Sequence, residues 1–184
     1  MSLIAVAGPP GAGKSSVAAS LARMLDPSVL VTGDQFFAFL GRGLVPPWLP
    51  GSEEQNTAVT RAAAAAAGVF ADAGYETVFD GVLGPWFLPR FAQATGLASF
   101  DYVVLLPPEA TCVERVATRS DHDFTDEDGT RHMHRQFVTA AVELDPRHLI
   151  DEPLGVDELA ELILERRALG HLVHHVKPKP RTGR

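Results

Sequence analysis

Gly8-Pro9-Pro10-Gly11-Ala12-Gly13-Lys14-Ser15 is the stretch that decides the fold. It fits G-x-x-x-x-G-K-[ST] at every defined position, after an apolar run at residues 3–7 and before Val17, Leu21, Ala22 and Leu25 at helical spacing. A strand, a glycine-rich turn and a helix in that order aim consecutive backbone N–H groups at phosphate oxygens, with the positive end of the helix dipole behind them. Pro9 and Pro10 carry no N–H, so the donors fall to residues 11–15. Lys14 is expected on the β- and γ-phosphates and the Ser15 hydroxyl on Mg²⁺, with Gly8, Gly11, Ala12, Gly13 and Ser16 completing the nucleotide-binding set. A dinucleotide fingerprint fails because Ser16 stands where its third Gly or Ala is needed.

Working outward, residues 29–31 form a second β-branched run ending in Thr32-Gly33-Asp34, followed by Phe36, Phe37 and Phe39. Residues 41–51 hold three Gly and three Pro and read as a loop. Residues 52–73 form an alanine-rich helix, closely packed and closed by Gly74. A third strand at 76–79 ends in Asp80-Gly81, and a fourth at 101–106 ends in Pro107-Pro108. Then come a helix at 109–119, a polar and acidic loop at 120–129, a helix at 130–144, a fifth short strand at 148–150 and an amphipathic helix at 156–169. Strands alternating with helices predict an α/β sandwich with a mainly parallel, five-stranded sheet and ligands beyond the strand carboxyl ends. Residues 1–170 are expected as one domain and residues 171–184, with Lys177-Pro178-Lys179-Pro180, as a mobile tail.

Composition narrows the partners. With 184 residues, 46% hydrophobic, the chain suits one compact domain. Its formal charge of -7 argues against a broad polyanion-binding surface, so no nucleic-acid partner is expected. Its single cysteine, Cys112, reads as a buried small residue that cannot make an intramolecular disulfide. No leader-like segment or membrane-length apolar run stands out, so a cytoplasmic protein without membrane contact, monomer or homodimer, is expected. Lys14 is the only lysine before the tail, which leaves no N-K-x-D segment for guanine. The apolar strand ending Asp-Glu of a motor ATPase is absent too, although Asp80 could take its metal role alone.

On the phosphate loop and the order and spacing of residues 3–169, the chain resembles the small P-loop kinases of the nucleoside-monophosphate, shikimate, gluconate and chloramphenicol phosphotransferase type. That resemblance implies a three-layer P-loop NTPase sandwich with a small lid, here about residues 119–131, and use of ATP and Mg²⁺. It sets Asp34 beside the acceptor hydroxyl, where an acid can orient the hydroxyl and accept its proton. The alternative, an Asp capping the next helix, is compatible with that role. Asp80 resembles the metal-side acid of the group; metal ligand, substrate contact and an exchange of roles with Asp34 all stay open. Arg115 and Arg119 resemble the lid pair, one on the base and one on phosphate. Arg131 and Arg135 repeat their i, i+4 spacing as catalytic candidates, with surface ion pairs to Asp121, Asp123, Asp126 or Asp128 as the alternative for any of the four.

The acidic segment fails as a calcium loop, because Asp126 falls where the sharp turn needs Gly. His122, His132 and His134 read as solvated or lid-packing groups. Trp48, Trp86 and the phenylalanines around them suggest an acceptor with an apolar or flat face, and Arg42 and Arg90 are candidates for an anionic one. The expectation is phosphoryl transfer from ATP to a small-molecule hydroxyl, on a metabolite or antibiotic. A regulatory or assembly ATPase without a small acceptor and a nucleotide-binding module without turnover are its rivals.

Overall fold

Alternate residues of the first strand point into two different cores. In the computed structural model, which describes residues 2–118 and 125–177, Ser2–Ala7 forms β1, buried from Leu3 onward. Leu3, Ala5 and Ala7 join one apolar cluster, and Ile4 and Val6 join the other. A strand apolar on both faces belongs in the middle of a sheet covered on both sides. β1 accordingly lies between β3 (Glu76–Asp80) and β4 (Ser99–Leu105), with β2 (Ser28–Thr32) beyond β3 and β5 (Leu149–Ile150) beyond β4, all parallel.

One face carries α3 (Glu53–Asp72) and α4 (Leu88–Thr95), the other α1 (Lys14–Met24), α5 (Glu109–Thr118) and α7 (Val156–Ala168). Short α2 (Gly33–Ala38) follows β2, and α6 (Glu127–Ala141) sends Phe137 into the α3 side. The alanine run packs as expected, with Ala63, Ala64, Ala67 and Ala71 buried. Gly68 brings α3 so close to α4 that a Cβ there would collide with the Thr95 backbone.

The sheet has six strands, not five. β6 (Val173–His175) runs antiparallel along Ser99, Phe100 and Asp101 of β4, within the segment expected to be a mobile tail. The reason is the shortness of β5, which pairs only with Val104 and Leu105 and leaves the first half of the β4 edge open. Helix α4 is a second addition. Pro85 and Pro89 give its sequence the look of a loop, yet Pro89 sits in the first helical turn and Gly96 closes the helix with φ 72°. The expected acidic loop is shorter than read, because Asp126 caps α6 by accepting the Gly129 N–H at 2.9 Å. Residues 119–124, half of the expected lid, and residues 178–184 lie outside the described residues. No helix among the described residues is long and apolar enough to cross a membrane.

Candidate active site

The phosphate loop is folded tightly onto the carboxyl end of the sheet. Ala12 N–H donates to Pro9 O at 3.2 Å, and the buried Lys14 reaches back with Nζ to Pro9 O at 3.0 Å. Gly11, at φ 77°, is pressed against α5, so a Cβ there would lie within 3.0 Å of the Cys112 backbone. Gly13 stands left-handed at φ 92° as the residue before α1. The first turn of α1 carries no acid to oppose a bound phosphate, and Ser15 and Ser16 are exposed there. The segment expected to cradle phosphate is therefore a tight glycine turn leading into the first turn of α1.

Parallel register brings the two carboxylate segments together. Asp80 ends β3 directly opposite Val6 on one side and Thr32 on the other, and it is buried. Gly33 abuts Asp80 and Gly81, since a Cβ on residue 33 would lie 3.1 Å from Asp80 O. Asp34 is therefore one residue from the Asp80-Gly81 turn, exposed in the first turn of α2. Thr32, not Asp34, occupies the N-cap position of α2. Ser15 and Asp80 supply hard oxygen donors beside the loop, which suits Mg²⁺ held by few protein ligands together with nucleotide phosphates and water. No group of three or more His, Cys, Asp or Glu side chains gathers among the described residues to cage a metal on its own.

Among the described residues, Arg115 is the expected arginine brought to the loop, its Nη1 donating to Gly11 O at 3.4 Å. Arg131 pairs with Glu127 at 3.2 Å and lies 3.8 Å from Glu109, so it bridges α6 to α5 through glutamates. Arg135 is exposed one turn further along α6, and Arg119 lies outside the described residues. His134 is a packing residue, donating from Nε2 to Pro107 O at 2.8 Å. Cys112 is buried as expected, and burial pushes its thiol up to about 11, against the pull of Lys14 and Arg115.

A groove of about 220 Å³ beside the loop escaped sequence reading. Ala12, Thr111, Arg115, Asp151 and Pro153 are among the residues that line it. The available signal was a proline-containing acidic turn directly after a strand end. Trp48 lies in a loop clamped to α3, where Gln55 Oε1 accepts Val45 N–H at 2.9 Å and Asn56 Nδ2 donates to Pro47 O at 2.7 Å.

Residues 3–144 match the AAA domain family. The chain belongs to that family. Its fold is similar to that of a sugar kinase from Janibacter sp. HTCC2649, at 21% identity, 94% coverage of each chain and a TM-score of 0.65. A gluconokinase from Sinorhizobium meliloti 1021 is similar at 19% identity, with 92% of this chain and 93% of that one covered and a TM-score of 0.61. A chain of an RNA repair complex aligns at 21% identity and a TM-score of 0.63, over 78% of this chain and 46% of that one. No curated protein matches the sequence. The fold is thus that of the small P-loop kinases.

Proposed function

We propose that this chain is an ATP- and Mg²⁺-dependent phosphotransferase that moves the γ-phosphoryl group to a hydroxyl of a small molecule, acting as one kinase-like domain whose sheet includes β6. The observation that carries the reading is the joining of three neighbouring strand ends: the phosphate loop after β1, Asp80 closing β3 and Asp34 just after β2. A phosphate cradle alone would serve any nucleotide protein. Two carboxylates on adjacent strand ends beside it supply what transfer to an alcohol needs.

In this mechanism the N–H groups of residues 11–15 and Lys14 hold the phosphates, and Ser15 and Asp80 would hold Mg²⁺, which would supply charge neutralisation to the transfer. Asp34 orients the acceptor hydroxyl and takes its proton as the new P–O bond forms and the bond to the bridging oxygen of ADP breaks. Asp80 is the alternative for that proton if the two acids exchange roles. Arg115 lies against the loop for the base in the adjacent groove; Arg119, Arg131 and Arg135 close over the transferring group, which requires Arg131 to leave its glutamates. The reading assigns the protein to the cytoplasm, as a monomer or homodimer.

The test incubates the protein with Mg-ATP and a pooled library of nucleosides, sugars, cofactors and antibiotics, and seeks a product heavier by one phosphoryl group by mass spectrometry. A product that disappears with Asp34→Asn supports the reading. ADP formed equally by both proteins without such a product replaces it with a regulatory ATPase, and ATP retained without ADP replaces it with a binding module.

A further inference from the structure

A second, larger groove of about 570 Å³ opens between the first three turns of α3 and the start of α4. Glu53, Glu54 and Arg61 line it from α3, and Trp86, Phe87 and Arg90 from the other side. We infer that this groove binds an anionic small molecule with a flat apolar face, its carboxylate or phosphate held by Arg61 and Arg90 and its face laid on Trp86.

The two glutamates have a structural reason to be there. They occupy the first turn of α3, where the helix dipole favours negative charge. The arginines have none. Arg90 stands in the first turn of α4, at the helix end where the dipole opposes a cation. Arg61 has Thr57, Ala58, Ala64 and Ala65 three and four residues away, so its helix offers no carboxylate at ion-pair spacing. Among the described residues neither guanidinium is in an ion pair. Two guanidiniums lining one groove, neither in an ion pair among the described residues, are suited to binding a carboxylate or phosphate.

The aromatic wall is built rather than incidental. The Trp86 ring folds over Gly84 so closely that any Cβ at 84 would collide with it. Its edge meets Phe137 of α6 with ring centres 5.1 Å apart, and the buried Tyr102 hydroxyl fixes the loop by donating to Leu83 O at 2.7 Å. An indole held on one side and open on the other is a preorganised stacking surface. The volume is that of a small-molecule site. Phe36, two residues after Asp34, packs with Phe87 against the same core, so α2 and the groove wall share one support. On the kinase reading, on which its role rests, the ligand is the phosphoryl acceptor.

The test uses four probes with one flat face and different charge: 2-naphthoate, 2-naphthyl phosphate, neutral 2-naphthylmethanol and cationic 2-naphthylmethylamine. Binding is read without ATP, by ligand-observed NMR and by indole quenching in the Trp48→Phe protein, where Trp86 is the reporter. At least one anion should bind about tenfold or more tightly than the alcohol, as charge-assisted hydrogen bonds allow. The Arg61→Gln/Arg90→Gln protein, its folding verified by circular dichroism, should lose that preference, and the double lysine variant should keep part of it. The ratio of carboxylate to phosphate then tells which anion the groove takes. No anion binding, preference for the ammonium, or selectivity that survives the double glutamine substitution overturns the inference. Loss of phosphoryl transfer with anion binding intact overturns the kinase reading alone.

Discussion

The backbone of Gly11 rests on the backbone of Cys112, so the phosphate loop and the first half of α5 are in contact where nucleotide phosphate is expected. A methyl group on residue 11 meets peptide atoms that cannot swing aside, and φ 77° adds strain for any L side chain. Gly11→Ala should therefore weaken Mg-ATP binding by tenfold or more, while far-UV circular dichroism keeps the wild-type spectrum, because the strands beneath are untouched. Calorimetric titration showing unchanged affinity would remove the loop geometry from the argument.

Arg167 of α7 ties three strands together at the sheet end opposite the phosphate loop, through Ser2 of β1, Glu76 of β3 and Asp101 of β4. Its Nη2 pairs with Glu76 at 2.8 Å and its Nε lies 3.3 Å from Asp101. Burial pushes the Asp101 carboxyl up, and the Arg167 charge opposes that shift without cancelling it. At Glu76 burial also pushes upward, but the Ser2 hydroxyl and Arg167 outweigh it and hold the carboxyl below its usual range. Arg167→Met strands a half-buried carboxylate, and should cost about 1–3 kcal/mol in urea unfolding after discount for partial solvent exposure. Adding Asp101→Asn should recover part of that loss; an unchanged midpoint in the single variant contradicts the account.

The β6 strand should respond to pH. His174 stacks near Phe100, with ring centres 5.4 Å apart, and burial, with the like charges of His148, His175 and Lys177, holds its imidazole below the ordinary value. A histidine depressed in the folded state favours folding when neutral, so its contribution is complete above the unfolded value near pH 6.5 and is lost as pH falls through the folded one. Melting temperature should fall between about pH 7.5 and about pH 5.5, and the hydrogen-exchange protection factors of the His174 and Val176 amides, which face β4, should fall over that window. His174→Phe keeps an aromatic ring beside Phe100 and should flatten both responses.

Much of the fold was readable because its signals are local. The strand, glycine turn and helix around Lys14, the alanine helix and the breaks at Asp80-Gly81 and Pro107-Pro108 are written in backbone propensity over a few residues. Helix α4 was not, because Pro85 before it and Pro89 within it imitate a loop and what holds it is burial of Phe91 and Ala92 against α3. Asp34 and Asp80 could be named from strand ends, but their closeness follows from β2 pairing with β3 residue for residue.

The sequence by itself determined the strand, glycine turn and helix around residues 8–15, since Gly φ freedom, the missing N–H of proline and the helix start are properties of adjacent residues. Tertiary structure alone decided the remainder. It turned residues 173–175 into a strand by leaving half of the β4 edge open, set Arg115 rather than Arg131 on the loop, and folded Trp86 over Gly84 to face Arg61 and Arg90. Each depends on partners far apart along the chain, whose meeting is fixed by strand register and helix packing rather than by local propensity.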